Sequence, residues 1–93
     1  QGKFWEYHDV LFQNQESVAV SNLKEYAKAL GLNQNSFDTC LDSGQKASVV
    51  RSDFAEGNSV GVQGTPAFFI NGQLLSGAQP YEAFKKVIDS KLQ

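Results

Sequence analysis

The strongest constraint on the fold is Asn71-Gly72, set between the apolar runs Ala67-Phe68-Phe69-Ile70 and Gln73-Leu74-Leu75-Ser76. Both residue types tolerate the positive φ of a type I′ turn, so two antiparallel strands joined by a two-residue hairpin are expected there. The first run is short and aromatic, as a buried strand is. Gly61, Gly64 and Pro66 punctuate the approach to it. Pro80 follows the second run, placed for the first position of a last helix whose buried face would be Tyr81, Phe84, Val87, Ile88 and Leu92.

The first 58 residues follow a different period. Phe4, Trp5, Tyr7, Leu11 and Phe12 recur at helical steps, so a helix is expected from Lys3 to about Asn14, with Trp5, Tyr7 and Phe12 in the core. Ser21 or Asn22, with Glu25 in capping-box position, would start a second helix whose stripe is Leu23, Tyr26, Ala27 and Leu30, stopped by Gly31. A third would run from a cap at Asn33 to a stop at Gly44, with Phe37, Cys40 and Leu41 on one side. A fourth, from about Gln45 to Glu56, would carry Ala47, Val50, Arg51 and Phe54 on one strip and break at Gly57-Asn58. Helices this short are unstable alone in water, so each is expected to pack on a neighbour.

Composition removes several classes of function. Eight basic and ten acidic residues give a net charge of −2 with the lysines dispersed among acids, which argues against a nucleic-acid partner. The longest apolar run is Pro66 to Ile70, far below the roughly 20 residues that span a bilayer, so no membrane span is expected. One cysteine, Cys40, cannot make a CxxC pair or an intrachain disulfide, and with the single His8 it makes no zinc site; neither metal nor cofactor is expected. Methionine is absent, from which we expect a processed or excised part of a longer protein. No phosphate loop or dinucleotide fingerprint is present.

Pro66 at the entrance to a strand needs a reason, because proline removes a ladder donor and restricts the residue before it. One reason is a cis Thr65-Pro66 bond, which leaves the backbone of the preceding residue free to pair with an extended peptide. The other is a trans proline opening an edge strand.

At this point the sequence resembles a family. GTPAFFINGQLLSGAQPYEAFKKVI is similar to the carboxyl end of bacterial DsbA-like thioredoxin-fold proteins, and FWEYHDVLFQNQ, LKEYAKALGLN and FDTCLDSG resemble their helical insertion. The resemblance covers essentially the whole chain. It implies a partial thioredoxin-like α+β fold: a four-helix insertion over residues 1–58, then over 59–93 a cis-proline loop, a β-hairpin and a carboxyl-terminal helix. It favours the cis form at Pro66. It also implies that the strand and CxxC helix of the family would precede Gln1, so no catalytic residue is expected in this chain. The family's pair works through a low-pKa thiolate that exchanges disulfides with reduced proteins. Thr65 and Pro66 would then sit against that pair and help hold an extended peptide or reduced substrate protein, with Gly64 allowing close approach. A periplasmic or other extracytoplasmic location is implied by the resemblance alone.

Two residues keep more than one reading. Cys40 is either a small apolar packing residue beside Phe37 and Leu41 or, by the resemblance, a structural half-cystine whose partner lies before Gln1. A nucleophilic role has only His8 as a conventional base, in a different helix. His8 reads as a packed or rim residue with a hydrogen bond, ahead of a metal or acid–base role.

In the family's sheet order 4-3-1-2 the Ala67–Asn71 strand lies between Gln73–Ser76 and the first strand. Without that first strand it has an open edge, through which two copies would associate as a homodimer or exchange elements. Two functions remain: the carboxyl-terminal part of a thiol–disulfide oxidoreductase for exported proteins, with the isolated chain redox-inactive, or a non-enzymatic peptide-binding or interaction module.

Overall fold

The computed structural model describes all 93 residues as five helices and one two-stranded antiparallel sheet. They form two compact units, Gln1–Ser48 and Val49–Gln93.

The first unit holds α1 (Phe4–Gln13), α2 (Val20–Ala29) and α3 (Gln34–Ser43), with α1 against α2 and α2 against α3. Ala27 on α2 is its one fully buried residue. Around it Tyr7, Leu23, Phe37, Cys40 and Leu41 are half-buried. The Tyr7 hydroxyl donates to the Leu23 carbonyl at 2.9 Å, and its ring lies 5.5 Å from that of Phe37. Asn33 caps α3 as expected, its side chain accepting from the Ser36 N–H at 3.0 Å, and Gly44 ends the helix at φ 66°. The start of α2 departs from expectation. Ala19 is the N-cap, no side chain caps the helix, and Ser21 and Asn22 lie inside its first turn. The approach is held instead by the Tyr26 hydroxyl, which donates to the Ser17 carbonyl at 2.6 Å.

The second unit is built of α4 (Ala47–Ser59, all but its first two residues), β1 (Ala67–Ile70), β2 (Gln73–Ser76) and α5 (Tyr81–Lys91). Helix α4 starts two residues later than expected and runs through Gly57 and Asn58. The Gly61 N–H donates to the Asn58 carbonyl at 3.2 Å and the Val62 N–H to the Gly57 carbonyl at 2.9 Å, with Gly61 at φ 92°. These are the paired bonds of a Schellman stop, so the left-handed residue that ends the helix is Gly61. Gly57 does not break α4, because its helical backbone is unstrained and Val62 folds back over it; a Cβ placed there would lie 3.7 Å from the Val62 Cβ.

The hairpin forms as the Asn-Gly pair predicts. Asn71 and Gly72 have φ of 47° and 83°, and the register pairs Ala67 with Ser76 and Ile70 with Gln73. Phe68 packs edge-on to Phe84 of α5 with centroids 4.9 Å apart. Pro80 is the N-cap of α5 and not its first residue: its ψ of 155° is extended, and the Ala83 N–H donates to its carbonyl at 3.0 Å.

Several side chains expected in the core or on a buried face are exposed, Trp5 and Phe12 on α1 and Tyr81, Ile88 and Leu92 on α5, and so are Val50 and Phe54 on the strip of α4. The surface area gives the scale. Two separate compact domains of half this mass would together expose about 6,400 Å². This chain exposes 7282 Å². Its helices therefore present apolar stripes that nothing within the chain covers.

Candidate functional site

The residues picked out as a peptide-binding site, Gly64, Thr65 and Pro66, are consecutive and exposed in the second unit, on the segment that joins α4 to β1. That segment is tied down at both ends. At one end is the Val62 N–H bond to Gly57; at the other the Gly77 N–H donates to the Pro66 carbonyl at 2.8 Å. Between these anchors residues 63–65 enter no backbone hydrogen bond. The Thr65–Pro66 peptide is cis.

The ladder extends this pattern into β1. Ile70 faces Gln73 across the two-residue turn, and Pro66 bonds Gly77. Alternation along an antiparallel pair then turns the N–H and C=O of Phe68 toward β2 and those of Ala67 and Phe69 toward the open edge. Within this stretch the backbone groups of residues 63–65, Ala67 and Phe69 thus have no partner inside the chain, while those of Pro66 and Phe68 face β2 and the segment that follows it.

Gly64 has neither a positive φ nor a close neighbour. A Cβ built on it meets nothing within 4 Å. Nothing inside the molecule requires glycine at this position, and what the missing side chain leaves open is approach from outside.

Beside this loop lies a depression of about 350 Å³, walled on one side by Asp53, Phe54 and Asn58 of α4 and on the other by Val62, Gln63 and Thr65. Sequence reading missed it. The spacing of Asp53 and Phe54 from the loop depends on α4 continuing through Gly57, which the sequence reading ended there.

Cys40 lies in the first unit, on the half-buried side of α3 with Phe37 and Leu41, and is a free thiol. His8 sits on α1 with Nδ1 3.0 Å from Asp9 Oδ1 and its ring 4.5 Å from that of Phe12, a rim position. A second, more apolar hollow of about 380 Å³ is lined by Phe4, Tyr7, His8, Leu11, Phe12 and Leu32 among others. No three His, Cys, Asp or Glu side chains converge in metal-binding geometry.

Two groups have shifted protonation. Burial, and then the neighbouring Tyr26, raise Tyr7 above its ordinary value. Lys24 is raised chiefly by its hydrogen bond to Asp42, at Nζ–Oδ2 2.7 Å, against a smaller opposing effect of desolvation.

A helical segment followed by a proline-entered hairpin and a carboxyl-terminal helix defines a partial thioredoxin-like α+β fold. The chain belongs to the DSBA-like thioredoxin domain family, whose pattern matches residues 1–89. Its relatives include Na(+)/H(+) antiporter NhaA 3 of Salinispora tropica, 33% identical over 90 residues that make up 97% of this chain and 14% of that protein. Na(+)/H(+) antiporter NhaA 1 of Salinispora arenicola gives the same identity and coverage. Na(+)/H(+) antiporter NhaA of Herminiimonas arsenicoxydans is 32% identical over 90 residues, again 97% of this chain and 14% of that one. The chain therefore spans about one-seventh of the length of the curated relatives it matches. No solved structure matches it significantly. No helix is long and apolar enough to cross a membrane.

Proposed function

We propose that this chain is the peptide-binding, carboxyl-terminal part of a DsbA-like protein thiol–disulfide oxidoreductase that acts on exported proteins outside the cytoplasm. The observation that carries this reading is the exposed backbone of residues 63–65, free of internal partners between two hydrogen-bonded anchors. A substrate strand laid along it pairs with backbone groups that otherwise bond only to water, the mode of β-strand addition. Gly64 admits the strand, Thr65 supplies the pairing groups, and Pro66 fixes the turn into β1. Disulfide exchange needs a thiolate attacking a disulfide, and a dithiol to resolve the mixed species. With one cysteine, half-buried on α3, the 93 residues hold no such pair, so the couple is supplied by sequence outside them. Cys40 has a structural role in this reading.

A second reading is favoured by the names of the relatives. In it the domain accompanies a Na(+)/H(+) antiporter in one longer polypeptide and serves as a non-enzymatic peptide-binding or interaction module. The two separate in a dithiol-oxidation or insulin-reduction assay. The 93-residue chain is inactive under both. A longer polypeptide that includes the chain and a CxxC pair oxidises or reduces under the first, and is inactive under the second.

A further inference from the structure

We propose that the depression between α4 and the 62–65 segment is a selectivity pocket that takes one basic side chain, lysine or arginine, of a peptide held along that segment. This rests on the peptide-binding reading above.

Position is the first argument. The pocket and the unpaired backbone share Gln63, Gly64 and Thr65. Side chains of an extended strand alternate between two faces at about 3.3 Å per residue. A strand paired along residues 63–65 therefore lies alongside the pocket mouth, within reach of one of its own side chains. The volume, about 350 Å³, is near the lower end of the ~300–1,000 Å³ of small-molecule sites, which suits one long side chain and not a folded ligand.

Charge selects the occupant. Asp53 is the only charged residue lining the pocket. It takes part in none of the four ion pairs of the chain, which join Lys3 to Glu6, His8 to Asp9, Lys24 to Asp42 and Lys85 to Asp89. Beside it Phe54 is 70% exposed. A carboxylate without a cation next to an open phenyl face attracts an ammonium or guanidinium by both charge and ring quadrupole, while Val62 contacts the aliphatic stem. The side-chain amides of Asn58 and Gln63 offer further acceptors at the wall. An acidic side chain meets only repulsion from Asp53, so the preference has a sign.

Three fluorescein-labelled nine-residue serine–glycine peptides, differing only in lysine, norleucine or glutamate at the central position, test this by anisotropy with the full chain at low salt. The lysine peptide is expected to bind roughly fivefold tighter than the norleucine peptide, and the glutamate peptide more weakly than either. Asp53→Asn should shrink the lysine–glutamate difference to the smaller part that the Phe54 ring supplies, and Asp53→Lys should invert the order. Asp53 is solvent-exposed, and circular dichroism should show that both variants keep the helical content of the parent. Equal binding of all three peptides to the parent chain overturns the pocket while leaving peptide binding intact. Absence of binding by any of them overturns both together.

Discussion

Phe68 lies two residues beyond Pro66 and packs on Phe84, and this contact is expected to anchor the hairpin, and with it the loop, on α5. Phe68 is 39% exposed. A complete Phe side chain buries about 200 Å², so about 120 Å² of it is covered here. At ~25 cal/mol per Å² this is about 3 kcal/mol, and allowance for a compact unfolded chain and the Cβ that alanine retains leaves about 2 kcal/mol for Phe68→Ala. The edge-on geometry, at 4.9 Å and 87°, adds a pairwise part of about 1 kcal/mol that should appear as coupling between Phe68→Ala and Phe84→Ala. The assay is urea unfolding followed on the backbone amide signals of β1 and β2, which report on this unit alone. With a slope near 1 kcal/mol per M for a chain of this size, the single change lowers the midpoint by roughly 2 M. Additive single and double variants, or a midpoint that Phe68→Ala leaves in place, refute the claim that this contact anchors the loop.

Gly57→Ala should stabilise α4, because the new methyl meets the Val62 side chain at an ordinary contact distance of 3.7 Å and glycine is replaced at an unstrained helical position; the gain is about 0.5–1 kcal/mol, read as a higher midpoint in the same titration. Above pH 10 the first unit should lose stability. Tyr7 and Lys24 both have folded pKa values raised above their ordinary 10.0 and 10.5, so each contribution is complete below those values and is lost as pH climbs through the folded ones. Melting temperatures at pH 9 and pH 11 should differ, and the difference should shrink in Tyr7→Phe and in Lys24→Gln. The open edge of β1, with Phe69 46% exposed, should draw two copies together at micromolar concentration. Sedimentation equilibrium should show a dimer that Phe69→Lys converts to monomer; a parent chain that sediments as a monomer contradicts this.

What the sequence made legible was whatever a few neighbouring residues decide by themselves. Asn71-Gly72 sets the hairpin because both central residues must adopt positive φ, and no distant contact changes that. Asn33 and Gly44 mark α3 for equally local reasons, an oxygen for an orphan N–H and a left-handed stop. Gly57 misleads because a glycine inside a helix costs only about 1 kcal/mol, and the hydrogen-bonded stop lies four residues later at Gly61. At α2 the expected cap was overridden by a contact from Tyr26 to Ser17, nine residues apart in the chain. The apolar stripes of α1, α4 and α5 were found correctly as stripes. Periodicity identifies which face of a helix is apolar, but not what covers it, and so it places Trp5, Phe12 and Tyr81 in a core that the structure does not contain. Gly64, Thr65 and Pro66 are singled out by their resemblance to a family and lie on one exposed segment, whereas the pocket beside them requires the true end of α4.

The central claim is that the backbone between residues 62 and 66 is kept free for an incoming strand. Amide chemical-shift mapping of the chain on addition of the nine-residue peptides tests it most directly, with Gly64→Ala as control. The account predicts shifts concentrated on the amides of Gln63, Gly64, Thr65 and Ala67. It predicts their loss in Gly64→Ala, whose unfolding midpoint should be no lower than that of the parent because the added methyl meets nothing within the chain. Shifts confined to other parts of the chain, or a Gly64→Ala variant that binds as the parent does, would contradict it.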